Sequence, residues 1–400
     1  MTRELKLKRN MMYVQLYYFF RSFIFAYVIE RLFWRSRGIS IAETVYIEII
    51  YAVVVFSMEI PTGVLADRFS RKYIIISGSI LTLIGAIGML FAHGFIVFAC
   101  IIALSGISGA LTSGSVSALI YDSLKEVGET LSFEKYLARI KAIRYGSGLI
   151  AALVGSFVAS RYNLLMPYQM SVISCVMMVI FNLLLTEPRK GAVEKHMSVK
   201  EIINVTRSVI INQTFLKYVI VSGAVIGASI IYIEEFWQNY CDGIHINIVY
   251  FGIISGLMSM VVLISSKRTT VYVQYLRNNI KRKKRFYHVL TLISGVSFIS
   301  LFIIRHPIGI IMMLIAIYIE ALFDTLILGD IHHSVESEYR ATAESVYAMI
   351  SSSFSVAFGL IFAYGSEKMG VYGGFLLIGV VLVVSTIIKG IYFKRKELIS

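Results

Sequence analysis

Long apolar segments alternate with short polar ones along almost the whole chain. Each apolar segment holds about 20 residues, which as an α-helix is long enough to cross the roughly 30 Å hydrocarbon core of a bilayer. The pattern therefore predicts an all-α polytopic membrane protein with twelve transmembrane helices. The predicted spans are residues 12–33, 44–63, 73–92, 95–121, 140–160, 167–185, 215–236, 246–265, 287–304, 308–328, 343–364 and 371–393.

The longest polar interval, residues 186–214, leaves six predicted spans on either side. Many transporter folds consist of two related halves, and we therefore predict two pseudo-symmetric six-helix bundles, residues 1–185 and 215–400. Within the interval, Ser198 and Glu201 form a capping-box pattern ahead of apolar residues at helical spacing. We expect this linker to carry an amphipathic helix at the cytoplasmic membrane surface.

Composition supports the membrane class, because 57% of the residues are hydrophobic and only 16% are charged. The net charge of +14 could also indicate binding to nucleic acid. The positions of the charges along the chain distinguish this possibility from a membrane protein. With the N-terminus inside, 31 of the 38 Lys and Arg residues fall on one side of the predicted spans. This asymmetry follows the positive-inside rule. It predicts cytoplasmic N- and C-termini, contact of basic loops with membrane lipid, and no nucleic-acid partner.

A polar segment between the second and third predicted spans, residues 63–72, reads GVLADRFSRK. It resembles the loop signature Gly-x-Leu-Ala-Asp-Arg-x-Gly-Arg-Lys of the major facilitator superfamily of membrane transporters. Ser70 stands in place of the second glycine. The residues that match are Gly63, Leu65, Ala66, Asp67, Arg68, Arg71 and Lys72. The resemblance implies a transporter that works by alternating access, in which two six-helix halves rock about a central cavity.

In this family the signature aspartate lies against the start of the eleventh helix, and the later arginine pairs with an acidic residue that ends the fourth. The resemblance therefore implies that Asp67 faces the helix beginning near Ala343, and that Arg71 reaches Asp122. The start of a helix favours an anion because its first N–H groups are unpaired. We expect the signature residues and Asp122 to form a conformational latch that stabilises the outward-facing state. The alternative is that these charges only orient the loop.

The longer string EIPTGVLADRFSRK, which begins at Glu59, is similar to a bacterial branch of the superfamily rich in drug-efflux proteins. It implies a proton-coupled antiporter in a bacterial plasma membrane that exports a small amphipathic compound, such as a drug, an antibiotic or a secreted metabolite. Two exporter signatures are missing, because Ser105 replaces the usual arginine of the fourth helix and the fifth lacks its Gly-Pro bend. A proton-coupled importer of a nutrient or metabolite stays open, and a non-transporting receptor or scaffold is a remote alternative.

Ionisable residues inside predicted spans are the candidates for coupling, because a charge in hydrocarbon costs several kcal/mol unless it faces water or a partner. Arg21 lies near the middle of the first span. Glu320 lies near the middle of the tenth, with Asp324 one turn later on the same face. Both helices line the cavity in the family that the chain resembles. Either carboxylate is a candidate to carry a coupling proton, and the alternative is a fixed ion pair with Arg21.

Four other acidic residues lie nearer the ends of predicted spans: Glu30, Glu48, Glu234 and Glu235. Water reaches such positions, so we interpret these residues first as exposed charges at the rim. Glu234 and Glu235 stand among aromatic residues at the end of the seventh span, where they are weaker candidates for coupling or for attracting an amphipathic cation.

No segment matches an ATP-binding glycine-rich loop, a nucleophile elbow or a zinc-binding helix. We therefore predict that the protein is not an enzyme and uses no cofactor. Cys100, Cys175 and Cys241 are odd in number and widely spaced, which favours neither a disulfide framework nor a metal site. The expected partners are a small-molecule substrate, protons and membrane lipid, and the chain is expected to act as a monomer.

Overall fold

A computed structural model describes residues 2–189, 214–276, 279–335 and 340–397 of the chain. Helices dominate these residues, with short 3-10 turns at Tyr27–Ile29, Thr130–Ser132 and Ile248–Tyr250. The α-helices are α1 (Arg3–Ser22), α2 (Glu30–Ser36), α3 (Ile41–Arg68), α4 (Arg71–Phe91), α5 (Gly94–Glu126), α6 (Phe133–Arg161), α7 (Met166–Leu183), α8 (Thr214–Gly243), α9 (Phe251–Leu276), α10 (Ile280–Ile303), α11 (Gly309–Ser334) and α12 (Arg340–Glu397).

Eleven helical segments of the described chain are long and apolar enough to cross a membrane. The prediction of an all-α polytopic membrane protein is therefore confirmed. The last two predicted spans lie in one continuous segment, α12, which has non-helical backbone angles at Met369 and Gly370. Gly370 has a φ of +67°, a conformation that suits glycine. A Cβ on Gly365 would lie 2.5 Å from the Gly373 carbonyl oxygen, so the chain folds back sharply here. The count of twelve spans remains a prediction.

The first predicted span is also interrupted. The sequence pattern predicts one helix over residues 12–33, but α1 ends at Ser22 and helical backbone resumes only at Tyr27. The short helix α2 then continues to Ser36. Hydrophobic periodicity could not show this break, because residues 23–26 read FIFA and are as apolar as their neighbours.

The chain divides into two compact units. Unit 1 comprises described residues of Met1–Glu194 together with Asn247–Gly256, and unit 2 those of Lys195–Ile246 and Leu257–Ser400. The predicted linker helix with Ser198 and Glu201 falls outside the described residues, so the predicted division at 186–214 stays a prediction.

The start of α9 belongs to unit 1 because it packs closely on α6. A Cβ built on Gly252 would lie 2.7 Å from the Leu153 Cα atom. Nearby, the Ser156 hydroxyl donates a hydrogen bond to the Val249 carbonyl oxygen over 3.3 Å. Sequence spacing could not indicate this contact, since nearly a hundred residues separate the two segments.

Each unit has its own apolar core. In unit 1 the core joins α1, α4, α5, α6 and α7, and in unit 2 it joins α8, α9, α10, α11 and α12. Small residues let the helices approach, as expected where lipid tails are as apolar as the side chains they replace. A Cβ on Gly78 of α4 would lie 2.6 Å from Thr112 of α5, and one on Gly379 of α12 would lie 2.8 Å from the Gly295 carbonyl oxygen of α10.

Side-chain caps set the start of two helices. Ser40 and Glu43 form a capping box at α3, with the Glu43 N–H donating to the Ser40 hydroxyl over 3.2 Å and the Ser40 N–H to the Glu43 carboxylate over 2.8 Å. At α10 the side chain of Asn279 accepts a hydrogen bond from the Arg282 N–H over 2.8 Å. Both caps satisfy N–H groups that have no partner inside the helix.

Candidate functional site

The signature segment is mostly helical rather than a loop. α3 continues to Arg68 and α4 begins at Arg71, so only Phe69 and Ser70 separate them. Leu65 is exposed, and the side chain of Lys72 is half-buried. The side chains of Asp67 and Arg68 and the surroundings of Gly63 lie outside the described part of the structure, as do the side chains of Arg340, Ala341 and Thr342. The predicted contact of Asp67 with the start of α12 therefore stays a prediction.

The structure brings Arg71 and Asp122 together where α4 begins and α5 ends. The Arg71 guanidinium forms an ion pair with the Asp122 carboxylate and also donates to the Ala118 carbonyl oxygen over 3.0 Å. Asp122 is only 8% exposed, so the pair is largely screened from water. The contact that the resemblance implied is present, and its role as a latch remains a prediction.

Glu187 completes this site, although no motif pointed to it. Its carboxylate accepts hydrogen bonds from the Ser70 hydroxyl over 2.6 Å and from the Arg71 and Lys72 N–H groups over 3.0 and 2.8 Å. An anion at the first N–H groups of a helix is stabilised by those donors and by the helix dipole. Glu187 follows the sixth predicted span, more than a hundred residues from α4, so its spacing carries no signal.

Asn10 attaches the same segment to α1 and α5. Its side-chain amide donates to the Thr186 carbonyl oxygen over 2.7 Å and to the Ser123 hydroxyl over 3.0 Å. The amide oxygen in turn accepts from the Thr186 N–H over 2.8 Å. Asn10 is completely buried, and these bonds account for its polar atoms. The residues just after α7 are thus bound to three helices of unit 1.

Unit 2 contains a related cluster that the sequence analysis missed. Lys283 near the start of α10 forms an ion pair with Asp330 near the end of α11. The Tyr287 hydroxyl donates to the other Asp330 carboxylate oxygen over 2.7 Å. Asp330 is 5% exposed, so both donors compensate a buried charge. Lys283 belongs to the basic run 281–285, which the charge pattern explained only as an orientation signal.

Glu320 is electrostatically linked to two other carboxyl groups in the membrane-spanning part of unit 2. Glu320 is half-buried on α11, Asp324 is exposed one turn later, and Glu234 is exposed on α8. Glu320 interacts electrostatically with both of the others. Within the described residues, no Lys, Arg or His forms an ion pair with any of the three. Carboxylates so placed need water or a proton, because hydrocarbon does not solvate charge.

The structure changes the interpretation of two residues near span ends. Glu234 lies well inside α8 and interacts with Glu320, whereas its position in the sequence suggested a rim charge. Glu48 accepts a hydrogen bond over 2.6 Å from Arg31, whose side chain is almost fully buried, so it too is more than a rim charge. Arg31 lies on α2 with its guanidinium 4.6 Å from the ring centre of Trp34. Glu235 is half-buried next to Glu234.

Arg21 lies in the last turn of α1 in unit 1 and is half-buried. Its Nη1 atom donates to the Tyr17 hydroxyl over 2.8 Å and to the Thr112 hydroxyl of α5 over 3.4 Å. Both partners are neutral and belong to the same unit. The sequence analysis found this arginine by its place in a span, but the break that follows it was not foreseen.

Comparison with known proteins gives matches along nearly the whole chain. A sequence model of the Major Facilitator Superfamily matches residues 12–360. No curated protein sequence matches the chain.

Several solved structures share its fold at low sequence identity. A bacterial homologue of the iron transporter ferroportin, in an inward-facing state, has a TM-score of 0.72 at 14% identity, covering 97% of this chain and 99% of its own. The nucleoside transporter NupG has a TM-score of 0.70 at 13% identity, covering 99% of each chain. A bacterial homologue of the human lysosomal transporter Spinster has a TM-score of 0.69 at 15% identity, covering 95% of each.

Proposed function

The chain belongs to the major facilitator superfamily, and on this premise we propose that it exports a small amphipathic compound in exchange for protons. The family match and the fold make it a multi-pass membrane transporter and not an enzyme. The proposal adds alternating access, proton coupling, the outward direction and a location in a bacterial plasma membrane. It needs a small-molecule substrate, protons and surrounding lipid as partners, and a single chain suffices for it.

The proposal of proton coupling rests on the group of three carboxyls in unit 2. Glu320 interacts with Glu234 and Asp324, and these like charges repel when all are ionised. Taking up a proton removes one charge and lowers that repulsion. A change in water access around the carboxyls would then move a proton on or off, which is the step that coupling requires.

The outward direction is supported by the resemblance of residues 59–72 to the drug-efflux branch. Glu59, Pro61 and Thr62 extend the signature in the way that this branch does. The ion pair of Arg71 with Asp122 belongs to the signature of the whole superfamily and supports alternating access rather than a direction. Export therefore has its support from the sequence of residues 59–72.

Proton coupling is tested with Glu320→Gln, which keeps the shape of the side chain and cannot ionise. Cells that express the variant or the wild type are loaded with rhodamine B, a zwitterionic amphipathic dye, and its accumulation is measured with and without an uncoupler. We expect the wild type to lower accumulation, the uncoupler to reverse this, and Glu320→Gln to lose at least about 90% of the effect.

Glu134→Gln is the matched control, because this exposed glutamate near the start of α6 undergoes the same chemical change away from the carboxyl group. It should transport as the wild type does. Full, uncoupler-sensitive export by Glu320→Gln at equal membrane expression would refute the role of Glu320. Wild-type cells that accumulate more rhodamine B than cells lacking the protein would instead indicate import.

A further inference from the structure

The first membrane helix breaks at a place where its sequence contains no helix-breaking residue. α1 ends at Ser22, and the 3-10 turn Tyr27–Ile29 begins after four non-helical residues. Residues 23–26 include neither proline nor glycine. A sharp interruption normally comes from such residues or from side chains inserted into the helical hydrogen-bond ladder. Contacts with other helices must therefore maintain the interruption after Ser22.

Three small residues of unit 1 hold the broken segment. The Ser174 hydroxyl donates to the Phe23 carbonyl oxygen over 2.7 Å, and the Ala26 N–H donates to the Ser171 hydroxyl over 3.2 Å. On α6, a Cβ atom at Gly155 would lie 2.1 Å from the Phe25 carbonyl oxygen, so only glycine fits. Non-helical backbone at membrane depth persists only where its polar groups are satisfied. The two hydrogen bonds satisfy the Phe23 carbonyl oxygen and the Ala26 N–H, and the close fit at Gly155 fixes the position of Phe25, so the break is a built part of the fold.

Arg21 stands directly before this break, and both of its hydrogen bonds go to uncharged hydroxyl groups. A guanidinium has five N–H donors, and those of Arg21 reach the neutral hydroxyls of Tyr17 and Thr112. In the part of the chain that the structure describes, no Asp or Glu forms an ion pair with Arg21. A half-buried cation in a membrane-spanning segment is stabilised strongly by an anionic partner.

Tyr27 lies on the far side of the break and adds a second polar group. It is 59% exposed and interacts electrostatically with both Arg21 and Glu30. A guanidinium and a phenol therefore flank the same non-helical segment. Interrupted helices in transporters form solute sites in this way, because they combine side chains with non-helical backbone at membrane depth.

We propose that the break in the first membrane helix is a binding subsite for an anionic group of the transported solute, a carboxylate, phosphonate or sulfonate held by Arg21. The planar fork of a guanidinium matches the two oxygens of such a group, and Tyr27 donates a further hydrogen bond. This inference rests on the proposed transport function and makes its substrate an amphipathic anion or zwitterion.

The test measures binding to purified protein in detergent at constant pH, where no gradient is present. The probes share one alkyl chain: octanoate, octylphosphonate and octanesulfonate, compared with octyltrimethylammonium and octanol. The readout is the shift in thermal unfolding temperature as each probe is titrated. We expect at least one anion to stabilise the wild type, and the cation and the alcohol to have no comparable effect.

Variants then assign the effect to Arg21. Arg21→Gln should weaken the apparent affinity for the anion at least about tenfold, and Arg21→Lys should do so by less, because it keeps the charge and loses the fork. Arg144→Gln is the control: this exposed arginine of α6 lies 5.8 Å from the ring centre of Tyr18, away from the break. If Arg21→Gln does not elute as a folded protein, the comparison of Arg21→Lys with the wild type tests the proposal. A reduced affinity of Arg21→Lys for the anion would support it, and an unchanged affinity would contradict it.

Three results would overturn the proposal. The first is equal stabilisation of wild type and Arg21→Gln by the anions, and the second is a wild type that none of the three anions stabilises. The third is recovery of anion binding when Glu320→Gln is added to Arg21→Gln, since this would make Arg21 a fixed counter-ion. A failure of proton coupling leaves these binding measurements unchanged, so the two proposals fail separately.

Discussion

Both units join the start of their third long helix to the end of their fourth through a cation and a buried aspartate, but they use different residues. In unit 1 Arg71 pairs with Asp122, and in unit 2 Lys283 pairs with Asp330. Arg71 has a further acceptor in the Ala118 carbonyl group, whereas Asp330 has a further donor in Tyr287. The contact is thus a property of the helix arrangement, and the residues that make it can vary.

The comparison also shows why only one of the two pairs could be predicted. Arg71 belongs to a recognisable signature, and the resemblance named its partner. Lys283 is one of five consecutive basic residues, 281–285, and nothing in their order tells which of them reaches an aspartate. In both units the acidic residue closes a long apolar segment, which is a pattern that sequence can show.

The largest effect on stability should come from removing the unit 2 carboxylate. Asp330→Asn leaves the half-buried Lys283 without its counter-ion and weakens the bond from Tyr287, so it should cost about 3 kcal/mol of unfolding free energy. Unfolding in mixed micelles of rising SDS content measures this. Adding Lys283→Gln should restore part of the loss, and a single variant as stable as the wild type would show that the pair is unimportant.

A smaller loss is expected for Asp122→Asn in unit 1, about 2 kcal/mol, because Arg71 keeps its bond to Ala118. The same variant also tests the predicted latch. Rhodamine B export at equal expression should fall several-fold in Asp122→Asn and less in Asp330→Asn. The reverse order would mean that the signature pair serves stability and the unit 2 pair controls turnover.

The smallest effect on stability is expected at the caps of α4 and α10, the third long helix of each unit. α4 is capped by the distant Glu187, and α10 by its adjacent Asn279. Glu187→Ala and Asn279→Ala should each cost about 1 kcal/mol. Hydrogen exchange should separate them, since Glu187→Ala exposes the Arg71 and Lys72 amides and Asn279→Ala only the first turn of α10. Unchanged exchange at Arg71 in Glu187→Ala would refute the long-range cap.

The sequence could predict those residues of the candidate site whose type is unusual at their depth in a membrane span. Glu320 and Asp324 on one helix face, and Arg21 inside a span, stand out because charges are rare in apolar segments. The sequence offered Glu234 only as a weaker candidate, since its place near a span end suggested the rim, and the structure adds its interaction with Glu320. Asn10 and Glu187 are ordinary polar residues in sequence, and only their distant partners give them a role.

The amino-acid sequence by itself determined the membrane class, the approximate spans and the signature pair, because these follow from local hydrophobicity and from a short motif. Tertiary structure alone decided where the first helix breaks, which basic residue pairs with Asp330, and how Glu187 caps α4. The physical reason is distance along the chain. Periodicity reports the surroundings of a residue within a few turns, whereas Gly155, Ser171 and Ser174 act on a segment more than a hundred residues away.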